Sequence, residues 1–337
     1  MHFLVTGHTG FKGAWLALWL HSLGHSVSGI SLDPIEGSLF ETAEVNELMT
    51  NDLRIDIRNS NETISAIKSV SPEVVFHFAA QPLVRESYKD PRGTFETNAM
   101  GTLNVLEGVS KTPTVKAHIV ITTDKVYRNV NQVAGYVESD PLGGDDPYSA
   151  SKAMADILTH SWVTSFTSPP TAIVRAGNVI GGGDVSPDRL LPDLINAYSN
   201  GKTPTLRYPD SVRPWQHVLD CLNGYLAISD SLMNRVEIGQ INIGPGKESF
   251  VTVANVAKQV AAKYSVAQTW NLESESQPHE AALLSLDATK AQEVIGWKDK
   301  LKFDEAVEWT VEWHKRIDNG ESEQSVSLNQ IDTFSKI

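Results

Sequence analysis

A doubly wound, mostly parallel α/β sheet with a smaller C-terminal lobe is the fold this sequence predicts. Three observations lead there. Apolar runs of strand length alternate with helical patterns up to about residue 180. Three glycines, Gly7, Gly10 and Gly13, fall between the first run and the first helix. After about residue 176 the texture changes to loops rich in Gly, Pro, Asp and Arg, such as "GGGDVSPDRLLPD" and "LRYPDSVRPWQHV".

In chain order, "HFLVTG" (2–7) is the first strand and "GAWLALWLHSLG" (13–24) a helix closing on Gly24. "SVSGISLD" (26–33) is the second strand. "EVVFHFAA" (73–80) is apolar enough for a central parallel strand. A helix spans 90–109, with Asp90 suited to the N-cap and Pro91 to the first helical position. "HIVITT" (118–123) is a strand, 148–166 a helix, and "TAIVRAGNV" (171–179) and "GQINIG" (239–244) are further strands. Helical patterns near 251–264 and 303–316 follow. The expected division is 1–175 plus about 215–250 for the sheet domain, and 176–214 plus about 251–320 for the smaller lobe. Residues 321–337 are expected to form a loosely held polar tail.

The bulk composition narrows the class. The chain has 337 residues, 41% hydrophobic and 20% charged, as in a soluble globular protein. Its net charge of -13 argues against nucleic acid or an anionic membrane as partner. Cys221 is the single cysteine, so there is no disulfide framework and a reducing compartment is expected. With no signal-peptide pattern and no membrane-length apolar run, a cytoplasmic location is expected.

The glycine trio has two readings, a plain tight β–α turn or a cradle for a pyrophosphate at a helix N-terminus. Its place after a strand and before a helix favours the cradle. Asp33 ends the second strand, where a carboxylate accepts from a ribose diol and repels a 2′-phosphate, which favours NAD; the alternative is an Asp-Pro turn. Asp56 and Ile57 in "RIDIR" are candidates for the adenine edge. Tyr148 and Lys152 in "YSASK" lie four apart on one helix face, and an ammonium there would lower the pKa of the phenol. A second such pair, Tyr198 and Lys202, is interrupted by Asn200 and Gly201. Thr123 ends a strand upstream, where hydroxyls face the crevice of an open α/β sheet. Asp124 and Lys125 follow it, and a solvated polar turn is their plain reading. No cluster has metal-ligand spacing.

With "HFAAQ" and the ordered motifs "AAQPLVRESY", "TTDKVY", "DPYSASK", "RAGNVIGGGD", "VRPWQHV" and "QPHEA", the chain from about 2 to 315 resembles the extended short-chain dehydrogenase/reductases. Within them it is similar to the nucleotide-sugar 4,6-dehydratases that act on CDP-glucose. The resemblance implies a Rossmann-like domain that retains NAD, and a substrate-binding lobe. It implies that Gly7, Thr9, Gly10, Phe11, Gly13, Asp33, Asp56, Ile57, Ala79, Ala80, Gln81, Asn98, Tyr148 and Lys152 face the cofactor. Tyr148 would take the 4-hydroxyl proton, Thr123 would bond the same oxygen, and Asp124 would protonate the leaving 6-hydroxyl. Relatives acting on dTDP-glucose carry Asp-Glu where this chain has Asp124 and Lys125.

A lysine at 125 should lower the pKa of Asp124, against its acid role, and either stabilises an enolate or, desolvated, takes the C5 proton. Asn178, Arg189, Arg207, Arg213 and His279 would contact substrate, with Arg213 on the diphosphate; structural roles stay open for His217 and His279. A homodimer or dimer of dimers is implied. The alternatives are a 4,6-dehydratase for another nucleotide sugar, a 4-epimerase, and a non-catalytic NAD-sensing protein.

Overall fold

The computed structural model of the chain describes residues 1–132, 134–267, 269–273 and 284–337. Its strands in chain order are β1 (His2–Thr6), β2 (Ser26–Ser31), β3 (Asn51–Arg54), β4 (Val74–His77), β5 (Ala117–Ile121), β6 (Thr171–Ala176), β7 (Asn178–Ile180), β8 (Thr205–Leu206), β9 (Val212–His217), β10 (Gly239–Ile243), β11 (Phe250–Thr252) and β12 (Asn271–Leu272). Seven of them form one sheet in the order β10-β6-β5-β4-β1-β2-β3, and every pairing is parallel. The expected doubly wound parallel sheet is present. Every residue of β4 and β5 is buried, which suits strands covered on both faces. The edge strand β3 is polar and partly exposed.

The chain lays down β1, β2 and β3 in one direction, then returns beside β1 and lays down β4, β5, β6 and β10 in the other. The strand order therefore reverses between β1 and β4. The flanking helices diverge there and a crevice opens at the strands' carboxyl ends. One face of the sheet is covered by helices Ser60–Val70 and Thr102–Ser110, which pack Ile67, Val105 and Val109 onto Leu4 and Val75. Helices Phe11–Ser22 and Val218–Met233 help cover the other face.

A second core belongs to the smaller lobe. It joins Leu194 of helix Leu190–Ser199, Val256 and Val260 of helix Val253–Lys263, and Val307 of helix Phe303–Asp318. Its small sheet pairs β9 with β11 antiparallel and with β7 parallel.

The structure departs from the expected division in two places. Residues 284–301 were expected in the smaller lobe, yet Ala291, Trp297 and Leu301 join the main core. Asp220 holds this segment to helix Val218–Met233: its carboxylate accepts from the Lys300 and Leu301 N–H groups at 2.7 and 3.0 Å.

The polar tail is the second departure, because Glu323–Ser335 is a helix with Val326, Ile331 and Phe334 buried. The cause lies at the other end of the chain. Every residue from Gly13 to Leu20 is buried, so the first helix has no polar face to give to water and needs cover on its outer side. The last helix provides that cover. Phe334 meets Trp19 edge-on at 5.7 Å, and the Trp313 indole donates to Ser327 Oγ at 2.9 Å.

Phe334→Ala is expected to lower the free energy of unfolding by about 3–5 kcal/mol. Chemical denaturation measures this, and a change near zero would mean the last helix is not docked.

Candidate active site

The crevice is a cavity of about 730 Å³ lined from both lobes. Gly7, Thr9, Gly10, Phe11 and Gly13 form its wall at the carboxyl end of β1. Gly7 has φ +76°, and a Cβ there would lie 2.7 Å from the Ala79 nitrogen. A Cβ on Gly13 would lie 2.2 Å from the Gly7 oxygen. Only glycine lets the first helix start this close under the loop. Gly10 caps that helix without a side-chain hydrogen bond, and the first turn holds no acid, so its N–H groups suit an anion. Thr9 bonds Ser31 Oγ at 2.6 Å and ties the loop to β2. Beyond β2, Asp33 lines the cavity with its carboxylate 90% exposed and 3.6 Å from Arg54 Nε. Asp56, Ile57, Ala79 and Ala80 also line it.

Gln81 and Asn98, placed at the cofactor by sequence reasoning, do not line the cavity, and their polar groups are already engaged. Asn98 Oδ1 accepts from the Gln81 N–H at 2.8 Å, and its Nδ2 donates to Gln81 O and Ser151 Oγ. Gln81 Oε1 accepts from Leu83 N. The pair splices the loop after β4 to the helix that carries Tyr148. A π-helical turn at Glu96–Gly101 includes Asn98 and interrupts the single helix expected over 90–109.

That helix, Pro147–Ser165, starts on Asp146, which accepts from Ser149 N at 2.9 Å, with Pro147 in its first turn. Tyr148 and Lys152 lie one turn apart on its cavity side. Lys152 Nζ donates to Ile121 O at 2.7 Å, and Thr123 and Tyr148 line the cavity beside it. A turn further on, Asp156 takes a two-pronged bond from Arg175 of β6, at 2.8 Å on each oxygen, which anchors the helix to the sheet. Burial pushes Tyr148 up to about 12, outweighing Thr123 and Arg189, which act downward. Burial brings Lys152 down to about 7, with Lys12 adding to the fall. Lys152 was expected to lower the pKa of Tyr148; in the folded protein burial dominates instead. The other pair is no site: Tyr198 is buried and bonds Ala257 O at 3.3 Å, and its helix ends at Ser199.

After β5, Thr123 caps a short 3-10 turn, Asp124–Val126. Its hydroxyl accepts from Lys125 N at 3.3 Å and donates to Asp124 Oδ1 at 3.0 Å. Asp124 is 1% exposed, and among the described residues its Oδ2 has no hydrogen-bond partner. Burial raises its pKa; Lys125, Thr123 and Arg213 pull the other way and lose. The lowering expected from Lys125 is overturned because desolvation of the carboxylate outweighs the neighbouring cations. Lys125 lines the cavity and is half-buried, so it is not fully desolvated.

On the lobe side, Asn178, Arg189, Arg207 and Arg213 line the cavity. Arg213 is 5% exposed on β9 and donates to Val212 O at 2.9 Å. Arg207 lies 3.7 Å from Asp188. His217 is buried, caps helix Val218–Met233 by accepting from Leu219 N, and meets Trp309 edge-on, a structural role. His279 lies outside the described residues. No His, Cys, Asp and Glu cluster among the described residues could hold a metal. No helix among them is long and apolar enough to cross a membrane.

Two lining residues escaped the sequence reading. The Lys12 ammonium sits over the rings of Phe78 and Tyr225 at 5.7 and 5.6 Å. A lysine inside the glycine loop was the available signal. A Cβ on Gly177 would lie 3.2 Å from Asp124 Oδ2, so this glycine leaves the acid its room. Only the fold brings those two together.

The family model of GDP-mannose 4,6 dehydratase matches residues 4–310. The chain is 42% identical to a CDP-glucose 4,6-dehydratase of Salmonella typhimurium, over 98% of this chain and 95% of that one. Among solved structures, a UDP-glucose-4-epimerase from Stenotrophomonas maltophila aligns with TM-score 0.83 at 19% identity, covering 95% of this chain and all of that one. A dTDP-glucose 4,6-dehydratase from Bacillus anthracis in complex with NAD aligns with TM-score 0.81 at 23% identity, covering 95% and 98%. At these identities the two structures speak for the fold.

Lys152 yields a stability prediction. Folded, it titrates near 7; an unfolded lysine titrates near 10.4. Between those values the unfolded chain holds a proton that the folded chain lacks, so this residue makes stability rise with pH. Denaturant unfolding of wild type and Lys152→Met from about pH 7 to about pH 10 should show the wild type gaining on the variant. Parallel curves would mean that Lys152 is not desolvated.

Proposed function

The chain belongs to the GDP-mannose 4,6 dehydratase family, and on that premise we propose that it removes water from CDP-glucose to give CDP-4-keto-6-deoxyglucose, with NAD as its resident cofactor. The observation that carries the reading is Asp124, a buried carboxyl with a raised pKa and an unpartnered oxygen at the cavity. Plain redox chemistry and simple inversion at C4 have no leaving hydroxyl to protonate, whereas dehydration has one. That also ranks the 4-epimerase second. An NAD sensor has no use for Thr123, Tyr148 and Lys152 in this arrangement.

The residues present fit NAD. The uncapped first helix and the loop Gly7–Gly13 suit its pyrophosphate, Asp33 a ribose diol, Asp56 and Ile57 the adenine edge, and Lys152 the nicotinamide ribose. When bound, NAD supplies a reversible hydride acceptor and a positive ring that favours the Tyr148 phenolate.

Tyr148 takes the proton of the sugar 4-hydroxyl, and Thr123 bonds the same oxygen and holds it in line. The 4-ketone so formed acidifies the C5 hydrogen. That proton passes to solvent water beside Lys125, which is half-open to it; the Lys125 side chain stabilises the enolate left behind, and water returns a proton to C5 when C6 is reduced. Asp124 gives its proton to the departing 6-hydroxyl. Oxidation at C4 and reduction at C6 cancel, so the net change is the loss of one water. Arg213, Arg189 and Arg207 suit the diphosphate, and Asn178 the sugar side.

The assembly proposed is a homodimer or dimer of dimers. Tyr88, Met100, Met154 and Ile157 support it, being exposed on the helices around Asp90 and Tyr148. The setting proposed is the cytoplasm, with the product entering deoxysugars of surface polysaccharide such as lipopolysaccharide O-antigen.

Incubation with CDP-, dTDP-, UDP- and GDP-glucose, followed by mass spectrometry, is expected to show loss of one water with CDP-glucose favoured. No loss from any of the four would sink the dehydratase reading. Lys125→Met is expected to slow turnover by about 10²–10⁴-fold and to reduce solvent exchange at C5. Wild-type values for both would remove Lys125 from the elimination.

A further inference from the structure

A buried polar chain joins the turn that carries Asp124 to the helix that carries Tyr148. Tyr127 follows the turn Asp124–Val126, and it is buried. Its hydroxyl donates to Asn242 Oδ1 of β10 at 2.7 Å and accepts from Arg175 Nη1 of β6 at 2.9 Å. Arg175 gives its Nε and Nη2 to Asp156, one turn beyond Lys152 on the helix. The direction of the chain is fixed. Asn242 Nδ2 donates to Tyr136 O at 2.8 Å and Asp287 O at 3.0 Å, so its oxygen is what faces the phenol. Burial pushes the Tyr127 phenol up to about 12, which keeps it a neutral donor.

This is a costly way to join elements, because apolar packing would do so without desolvating an ion pair. Yet Asn242, Tyr127, Arg175 and Asp156 are all buried, and none of their buried polar atoms lacks a partner. A fully satisfied network of this kind is rigid and specifies one arrangement. The turn needs that support. It is three residues long, and its closing bonds are slack, Val126 N to Thr123 O at 3.3 Å and Tyr127 N to Asp124 O at 3.4 Å. Gly143 N, from a loop in the crevice wall, adds a bond to Val126 O at 2.8 Å. The other half of the site is held independently. Asn98 grips Ser151, Lys152 grips Ile121 O, and Thr122 N donates to Val174 O at 2.7 Å just before Thr123.

We propose that Tyr127 and Arg175 are positioning residues for the elimination, holding the turn of Asp124 and Lys125 in register with C6 and C5 while Tyr148 works at C4. This rests on the dehydratase reading and assigns its two halves to two separately anchored parts of the protein. Oxidation draws on Thr123, Tyr148 and Lys152, which the strand end and the helix hold. Elimination draws on Asp124 and Lys125, which the Tyr127 hydroxyl steadies through the turn. Loss of that hydroxyl loosens the second set and leaves the first in place.

Single turnovers of CDP-glucose by the NAD-loaded enzyme test this in wild type, Tyr127→Phe and Arg175→Lys, with thermal unfolding confirming that each variant folds. Absorbance gives the rate at which reduced nicotinamide appears, and quenched samples give the rate of water loss by mass spectrometry. Tyr127→Phe keeps the ring and its stacking on Tyr136 but removes both hydroxyl bonds. Its KM and its first rate should stay near wild type. Its water loss should slow by about ten- to a hundredfold, so that a 4-keto sugar still carrying its 6-hydroxyl builds up. Arg175→Lys lacks the planar fork that spans Asp156 and Tyr127, and should show the same split. It decides the matter if the Phe variant fails to fold. Unchanged rates, or a loss that falls on the oxidation as heavily as on the water loss or more, would overturn the positioning role and leave the dehydratase reading standing. Wild type that releases no water would overturn the dehydratase reading itself.

Discussion

Desolvation at the carboxyl end of β5 is the constraint on which the rest of the site depends. Lys152 reaches Ile121 O there, Thr123 bonds Asp124, and the side chains of Lys152, Thr123, Asp124 and Tyr148 are all buried. Removing water disfavours whichever form of a group is charged. It raises Asp124 and Tyr148 and lowers Lys152, so one physical cause moves three protonation states toward neutrality together. The upward shift favours the protonated form of Asp124, which is the form that can give a proton. A neutral Tyr148 must be driven to ionise by charge arriving with the ligands. In this account the protein holds the acid ready and makes the base conditional.

The scaffold explains why the site can be so dry. The reversal of strand order between β1 and β4 opens the crevice, and Gly7 and Gly13 let the first helix close against it. The buried Asp156–Arg175 pair ties the Tyr148 helix to β6. Helix Phe303–Asp318 gives Val307 to the lobe core and Trp313 to the main core, so the two walls of the crevice share an element. Gly177 leaves Asp124 Oδ2 its space without supplying a partner.

Patterns carried by local spacing were legible in the sequence. Period and glycine placement announced the parallel sheet and the loop after β1, and a four-residue spacing announced the Tyr148–Lys152 face. Quantities set by tertiary burial were not. The pair Asp124–Lys125 reads in one dimension as an acid lowered by its neighbour, because the depth of the strand end that carries it is invisible there. Gln81 and Asn98 were placed at the cofactor by the family resemblance; their mutual hydrogen bonds appear only once the Tyr148 helix is docked. The last helix was hidden by its polar composition. The signal for it lay three hundred residues away, in a first helix with no polar side.

The central claim is that burial holds the Asp124 carboxyl above its ordinary value despite the cations around it. The most direct measurement is the titration of its carboxyl by isotope-edited infrared spectroscopy, with Asp124→Asn to identify the band. The account requires a protonated-carboxyl signal that belongs to Asp124 and persists above the ordinary aspartate value of about 3.9. A signal titrating at or below that value would contradict it, showing that Lys125 and Arg213 outweigh burial.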